Sequence, residues 1–234
     1  MKQTAITSGA AIVIAALLMV FLPLTAGAGD LEPGAAPGST MHTLDEIYDL
    51  VDNKCGAATF EGAPVEKTGQ TTCYDADGTV ISCTGTGQDG DHQAGVAWPS
   101  PRFTDNADGT VTDNLTGLVW LKNANCFGSK TWASALADCN TLNSGECGLS
   151  DGSAEGDWRL PNVKELQSLT DFSNYGPALT TGHPFTNVLG NGYWSGTSYA
   201  YSTDSAWYVS MNHGYVYYYN KSNYYYVWPV RSDN

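Results

Sequence analysis

The residues best suited to molecular recognition lie near the C-terminal end of the chain, because eleven of its 14 tyrosines fall between Tyr193 and Tyr226. Tyrosine presents a large flat ring at low rotamer cost together with a hydroxyl, and binding loops use it beside Ser, Gly and Asn. Such rings can stack on the apolar faces of sugars or contact a protein, while amides and hydroxyls form hydrogen bonds. The predicted ligand-binding residues are Tyr199, Tyr201, Tyr208, Asn212, His213, Tyr215, Tyr217, Tyr219, Asn220, Asn223, Tyr224 and Tyr225.

The alternating pattern of a strand decides how these rings would be presented. On a strand, Tyr215, Tyr217 and Tyr219 share one face, whereas Val216 and Tyr218 share the other. If Val216 is buried, the first face projects its rings outward, and a contiguous exposed aromatic patch usually marks an interaction site. The alternative is that these tyrosines pack only against neighbouring strands and cover the sheet.

Oxygen ligands for a hard cation such as Ca²⁺ occur in two groups, Asp105, Asn106, Asp108 and Asp113 in one and Asp75 and Asp77 in the other. Ca²⁺ requires several oxygens close together, but neither spacing matches the EF-hand loop. Asp-Gly turns account for both groups without an ion. We therefore predict no metal site and no cofactor.

The chain offers little for catalysis. It has no H-E-x-x-H metalloprotease motif. Asp157 and Glu165 flank Arg159, and an ion pair that holds the start of a helix explains these charges better than acid–base chemistry. The sequence therefore favours a protein that is not an enzyme.

The N-terminal segment has the organisation of an export signal. Lys2 precedes an apolar run, Ala10–Leu24, and the small residues Thr25–Gly29 follow. This order predicts a signal peptide at 1–28, because the apolar run is too short to cross a bilayer and no later segment is apolar enough to do so. The mature protein is expected to be extracellular or at the cell surface, with the periplasm as the alternative.

Three regions follow the predicted signal. Residues 29–54 combine a spacer rich in Gly and Pro with a short amphipathic helix at Met41–Val51, where Thr43 can cap the N-terminus and Glu46 completes the capping box. Residues 55–100 are predicted to form a neck or subdomain around a cysteine-stapled hairpin. Residues 101–234 hold the main domain.

The six cysteines predict disulfides, since they are even in number and follow an export signal. Their spacing lacks the close pairs of a zinc site. We favour Cys73–Cys83, because residues 75–79 form a turn that brings two strands together. The second choice is Cys126–Cys147, which would join both ends of a helical segment; Cys55 and Cys139 could pair or stay free.

The main domain combines helices with short strands. Helical spacing covers Trp132–Leu142 and Val163–Leu169. Strands are predicted on both sides of an Asp-Gly turn within 103–113, and at Leu118–Leu121, Ala206–Val209, Gly214–Tyr217 and Tyr225–Val230. Two helices before a run of antiparallel strands indicate an α+β fold.

Charge excludes some partners. Ten Lys and Arg oppose 24 Asp and Glu, which gives a net charge of −14. Such a surface repels nucleic-acid phosphates and anionic lipids. An aromatic content of 12%, including seven Trp, argues against a disordered chain.

Several ordered segments resemble one bacterial family. They are Phe103–Trp120, Trp158–Pro161, Tyr193–Ser195, Ala206–Trp207 and Tyr226–Arg231, and together they are similar to the Lcl C-terminal domain family over about 101–231. The resemblance implies an extracellular domain with a C-type-lectin-like fold, distantly related to formylglycine-generating enzymes. The chain differs from the family pattern at Trp228, where Arg or a small residue is usual, and it has no collagen-like tract.

The resemblance also implies that residues near the C-terminal end of the chain belong to a diversified segment. The family includes surface binders that diversity-generating retroelements vary, which leaves segments rich in Asn, Tyr, Ser, Asp and Thr between fixed positions. Residues 199–225 have this composition, with a regular frame at Trp207, Val209, Gly214, Val216 and Lys221. A segment that is simply rich in tyrosine is the alternative.

Two functions from different classes follow. The first is a ligand-binding or adhesion module whose Tyr/Asn/Ser-rich surface binds a glycan or a surface protein. The second is a structural subunit that assembles into a homo-oligomer or fibre through the tyrosine-rich face and the Met41–Val51 helix.

Overall fold

The computed structural model describes residues 65–232. The predicted signal peptide, the predicted Met41–Val51 helix and Cys55 lie outside these residues. Within this range no helix is both long enough and apolar enough to cross a membrane. Strands dominate the described part of the chain and its helices are short, which agrees with an α+β class.

The neck contains more structure than the predicted hairpin alone. Strands β1 (Cys73–Tyr74) and β2 (Val80–Ile81) pair, and the predicted Cys73–Cys83 disulfide closes them. A four-residue helix, α1 (Asp89–His92), follows. Lys67 N–H donates to Val96 O at 3.1 Å, which joins the first described residues of the neck to its last ones.

The neck packs directly on the main domain. Phe172 N–H donates to Thr68 O at 2.9 Å, and Ser173 Oγ donates to Gly69 O at 2.6 Å. Gly69 has a φ of +86°, and a Cβ there would collide with Asp171 and Trp98. Only glycine fits this close approach of the backbone.

Four strands form the first sheet: β3 (Phe103–Asp105), β4 (Thr110–Asp113), β5 (Leu118–Leu121) and β11 (Val230–Ser232). They are antiparallel and lie in the order β11-β5-β4-β3. The predicted Asp-Gly turn joins β3 to β4, where Asp105 Oδ1 accepts the Ala107 N–H at 3.1 Å. The predicted Leu118–Leu121 strand is confirmed.

Five strands form the second sheet: β6 (Ser129–Lys130), β7 (Gly192–Ser198), β8 (Ser205–Ser210), β9 (Val216–Asn220) and β10 (Tyr225–Tyr226). Their order is β6-β10-β7-β8-β9, so β9 lies at an edge. Neighbours are antiparallel except β10 and β7, which run parallel with Tyr226 opposite Tyr193. The predicted run of purely antiparallel strands is wrong at this pair.

The predicted strand Tyr225–Val230 is also wrong as a single element. It divides into β10 and β11, which belong to different sheets, and Trp228 lies buried between them with Nε1 donating to Leu121 O at 2.8 Å. The predicted strand Gly214–Tyr217 begins later, at Val216. Gly214 instead closes a turn with a φ of +78°.

Two helices of the main domain confirm the sequence prediction to within a residue. Helix α2 covers Trp132–Thr141 and α3 covers Val163–Ser168. Asn162 forms a capping box with Glu165 at the start of α3. The expected ion pair is formed by Arg159 and Glu165 through two hydrogen bonds of 2.7 and 2.8 Å.

Two hydrophobic clusters cover opposite faces of the second sheet. The larger one joins that sheet to α3 and the first sheet through residues such as Tyr193, Val209, Leu166 and Trp120. The smaller one packs α2 against Trp194 and Tyr208. Because side chains alternate along strands, neighbouring residues such as Tyr208 and Val209 serve different clusters.

The second predicted disulfide, Cys126–Cys147, joins the segments on either side of α2. Cys139 lies within α2, is buried, and forms no disulfide with the residues described. Burial raises the pKa of its thiol well above the ordinary value. It therefore behaves as a small apolar residue of the core.

Candidate ligand-binding surface

Five tyrosines share one face of the second sheet, and we call them the tyrosine face. They are Tyr208 on β8, Tyr215 just before β9, Tyr217 and Tyr219 on β9, and Tyr225 on β10. Tyr217 is directly opposite Tyr208, and their rings meet edge to face with centroids 6.4 Å apart. The sequence pattern had placed the three tyrosines at and before β9 on one face.

Two members of this face, Tyr208 and Tyr225, form a stacked pair beside the β9 tyrosines. The Tyr225 ring lies parallel to that of Tyr208 at 4.4 Å and meets Trp194 edge to face at 4.8 Å. Tyr225 belongs to β10 and reaches Tyr208 on β8 by crossing the intervening β7. Gly192 makes room for it, because a Cβ there would lie 2.5 Å from the Tyr225 ring and 2.8 Å from Tyr208.

Exposure separates the residues that can touch a ligand from those that support them. Tyr215, Tyr217 and Tyr219 are 49%, 50% and 47% exposed. Tyr208 is only 7% exposed, so its ring holds the others in place rather than offering area of its own. Val216, on the opposite side of the strand, packs against the larger hydrophobic cluster.

Two hydroxyls of the face, those of Tyr208 and Tyr225, have pKa values above the ordinary tyrosine value. Burial raises the pKa of Tyr208, and hydrogen bonds with Tyr215 and Tyr225 raise it further. Burial also raises the pKa of Tyr225, although its hydrogen bond to Tyr208 opposes this shift. The Tyr208 and Tyr225 hydroxyls therefore stay uncharged near neutral pH and can both donate and accept hydrogen bonds.

A second aromatic group lies on the other side of the edge strand. Tyr199 stacks on Tyr218 at 4.1 Å and meets Trp207 edge to face at 5.1 Å, and Tyr201 beside it is 90% exposed. The rings of Tyr217 and Tyr218 stack at 4.9 Å, which connects this group to the tyrosine face. Sequence reasoning missed Trp207 and Tyr218, because only the fold brings them against Tyr199.

Two predicted asparagines are committed to a turn. Asn220 Nδ2 donates to Asp204 Oδ2 at 2.8 Å, and its Oδ1 accepts the Ser222 N–H at 3.0 Å. Asn223 Nδ2 donates to Asn220 O at 3.1 Å. These amides shape the connection from β9 to β10, where Tyr224 stands exposed.

The remaining predicted residues lie at the other end of the tyrosine face. The exposed His213 ring lies parallel to Tyr215 with centroids 6.2 Å apart. Asn212 is half-buried, and its Nδ2 contacts the His213 ring nitrogens at 3.2 Å. His213 therefore extends the aromatic surface by one ring.

The acidic residues considered for Ca²⁺ hold turns together. Asp75 Oδ1 accepts the N–H groups of Asp77 and Thr79, and Asp113 forms an ion pair with Arg102 at 3.2 Å. Within residues 65–232, no three His, Cys, Asp or Glu side chains form a group suited to a metal ion.

Two glycine-containing patterns in the chain also resemble catalytic or phosphate-binding motifs. Gly148–Gly152 has the spacing G-x-S-x-G, but it lies in a loop between α2 and α3, not between a strand and a helix as a nucleophile elbow requires. Gly85–Gly90 has the spacing G-x-G-x-x-G, but it leads from a hairpin into the four-residue α1 and not through a βαβ unit.

Comparison with known families gives one result for this chain. The family model of the Lcl C-terminal domain matches residues 109–231, which is more than half of the chain. The chain belongs to the Lcl C-terminal domain family. The matched part of this Lcl C-terminal domain contains α2, α3, the Cys126–Cys147 disulfide and the whole tyrosine face. A search of curated proteins gives no match.

Family membership and the disulfides both bear on where the protein is found in relation to the cell. The two disulfides and the Lcl C-terminal domain fit an extracellular protein.

Proposed function

We propose that this chain is an exported, cell-surface binding module with a C-type-lectin-like main domain, whose tyrosine face binds a glycan or a surface protein. The observation that carries the proposal is the row of half-exposed rings at Tyr215, Tyr217 and Tyr219, held by the buried Tyr208. The arrangement of sheets, two helices and a disulfide around α2 supports the lectin-like assignment.

The chemistry of the face suits a neutral ligand. Aromatic rings cover the apolar faces of sugars or of protein side chains, and the hydroxyls provide both donors and acceptors. Two ammonium groups lie near the face, and both already have partners. Lys221 Nζ donates to Ser198 Oγ at 2.7 Å and Thr203 O at 2.9 Å. Lys130, opposite Tyr225, forms an ion pair with Asp138 at 3.2 Å. A ligand here would gain affinity from stacking and hydrogen bonds rather than from ion pairs.

The test is a binding assay on glycan arrays and surface extracts. The parent protein is compared with a variant in which Tyr215, Tyr217 and Tyr219 are changed to Ser, and with a control in which the exposed Tyr74 and Tyr175 are changed to Ser. We expect the first variant to lose binding by about tenfold or more and the control to keep it. Equal binding by all three folded proteins would contradict the proposal.

Self-assembly is the second candidate, and the free edge of β9 supports it. Residue pairs alternate along an antiparallel ladder between those that exchange backbone hydrogen bonds and those that do not. Ser210 N–H donates to Tyr215 O at 2.9 Å, so Tyr215 and every second residue after it bond to β8. Val216 and Tyr218 therefore direct their N–H and C=O groups to the edge, where no other described strand lies.

Edge strands usually carry charges, prolines or bulges that prevent pairing, and Val216–Asn220 has no charged residue and no proline. Light scattering over a range of concentrations, with and without residues 29–54, tests assembly. A concentration-dependent oligomer that Tyr218→Lys abolishes, and Tyr175→Lys leaves intact, would support it. A monomer at every concentration would exclude it.

A further inference from the structure

A cavity of about 620 Å³ lies between the neck and the main domain, away from the tyrosine face. Its walls come from residues 65–68, where the described part of the neck begins, from Val96, from the turn after β4, from α3 and its C-terminal end, and from Phe172. This volume lies in the range of small-molecule sites. No residue of the tyrosine face lines it.

The distribution of positive charge singles out this cavity. Residues 65–232 contain eight Lys and Arg side chains. Five form ion pairs with carboxylates: Arg102, Lys122, Lys130, Arg159 and Arg231. Lys221 is held by Ser198 and Thr203. The two that remain, Lys67 and Lys164, form no ion pair within residues 65–232, and both line the cavity.

The hydroxyl groups around the cavity direct their protons into the protein. Thr116 Oγ1 donates to Asp113, Ser168 Oγ to the Glu165 carbonyl and Thr170 Oγ1 to the Gln167 carbonyl. The side-chain N–H groups left facing the cavity belong to the two lysines and the Gln167 amide. Positively charged donors with no acceptor partner favour an anionic ligand.

One carboxyl group also lines the cavity, and it does not oppose an anion. Glu66 Oε2 is buried without a hydrogen bond in the described residues and lies 3.7 Å from Arg102 Nη2. Burial raises the pKa of Glu66 to about 7, against the lowering effect of Arg102 and with a smaller contribution from Asp113. Near neutral pH the group can take up a proton beside a bound anion and then donate a hydrogen bond to it.

The apolar part of the wall suggests what the anion carries. Val65, Val96 and Phe172 are exposed apolar side chains, and all three face this cavity together with Leu115. Burying them against a ligand would contribute roughly 25 cal/mol per Å² of apolar surface. A bare inorganic ion would leave these side chains in water.

We propose that the cavity binds a small organic carboxylate, with its carboxylate between Lys67 and Lys164 and its apolar body against Val65, Val96 and Phe172. This site is separate from the tyrosine face and does not depend on the function proposed for that face.

Calorimetric titration of the full protein tests the site. The probes are phenylacetate, 4-methylpentanoate and N-acetylleucine, each beside its neutral amide. We expect at least one acid to bind about tenfold more tightly than its amide, because the amide has the same shape without the charge. Equal affinity of acid and amide, or no binding by any of the three acids up to about 10 mM, would overturn the proposal.

Matched lysine variants locate the binding. Lys67→Gln with Lys164→Gln should weaken acid binding about tenfold and leave the amides unchanged. The control, Lys122→Gln with Lys130→Gln, removes the same charge from surface ion pairs and should bind the acids as the parent does. An equal loss in both variants would overturn the proposal, since only net charge would then matter.

A pH readout separates the site from general charge effects. Arg102 and Asp113 lie beside Glu66, and Lys67 and Lys164 line the same cavity. Acid binding should strengthen from about pH 8 to 6 as Glu66 takes up its proton, and Glu66→Gln should remove this dependence. A dependence that persists in Glu66→Gln would contradict the role given to this carboxyl group.

Discussion

Gly192 gives the Tyr225 ring the space to cross β7 and stack on Tyr208. The stacked pair in turn fixes the exposed row on β9. A methyl group at position 192 would therefore displace the support of the tyrosine face without removing any residue that touches a ligand.

Gly192→Ala should lower stability by about 1–3 kcal/mol, because the added Cβ overpacks a closed contact. It should also weaken ligand binding at the tyrosine face. Gly196→Ala, on the same strand, is the control, since its nearest neighbour would be Leu160 O at 3.5 Å. Chemical denaturation and the binding assay measure both effects, and equal behaviour of the two variants would contradict this packing account.

Glu66 gives a prediction for the pH dependence of stability. Its pKa rises from 4.5 to about 7 in the folded protein, chiefly through burial, so the folded state holds a proton that the unfolded state releases. Below pH 4.5 Glu66 is protonated in both states, and the stability of the folded protein is at its full value. As the pH rises toward and through about 7, the folded protein has to give up this proton and its stability falls. Urea unfolding should show that the free energy of unfolding of the parent falls by about 2 kcal/mol more between pH 5 and pH 8 than that of Glu66→Gln. A loss of the same size in both proteins would contradict the burial of Glu66 as its cause.

Spacing alone predicted which β9 tyrosines share a face, since alternation along a strand is a local property. The roles of Asn220 and Asn223 were not predictable in this way. Their amides serve a turn because Asp204 and Ser222 lie within hydrogen-bonding distance in the fold. Two of the residues predicted to form a constant frame within 199–225 have structural roles: Val209 is buried, and Lys221 donates to Ser198. That the positions between the frame residues are diversified stays a prediction.

At the scale of elements, α2 is held at both ends. The Cys126–Cys147 disulfide joins its flanks, and Trp132 N–H at its start donates to Lys221 O at 3.1 Å. Helix α2 thereby links the end of β9 to the cluster beneath Tyr208.

Replacing Cys126 and Cys147 by Ser should lower the free energy of unfolding by about 3 kcal/mol, from the entropy of opening a loop with a sequence separation of 21. Replacing Cys73 and Cys83 should instead leave the main domain's transition nearly unchanged, because β1 and β2 lie in the neck. Thermal unfolding followed by near-ultraviolet circular dichroism compares the variants. A larger loss from the neck pair would contradict this assignment.

The helices and the first hairpins were predictable because their signals are local: a capping box, a 3.6-residue spacing or an Asp-Gly turn. The division of Tyr225–Val230 between two sheets was not. It depends on Trp228 donating to Leu121 and on Tyr226 pairing in parallel with Tyr193, contacts that are distant in sequence.

At the scale of the whole molecule, the chain combines a net charge of −14 with an uncharged aromatic face. Two disulfides and membership in the Lcl C-terminal domain family fit an extracellular protein. The cavity that contains Lys67 and Lys164 lies elsewhere, so one chain offers a neutral surface and a separate positively charged site.

Tyrosine nitration on protein bound to immobilised surface extract, followed by peptide mass spectrometry, tests the central claim most directly. Relative to free protein, we predict that Tyr215, Tyr217 and Tyr219 are protected, whereas the exposed Tyr74 and Tyr175 react equally in both states. Unchanged reactivity of the three β9 tyrosines, or protection confined to Tyr74 and Tyr175, would contradict the tyrosine face as the binding surface.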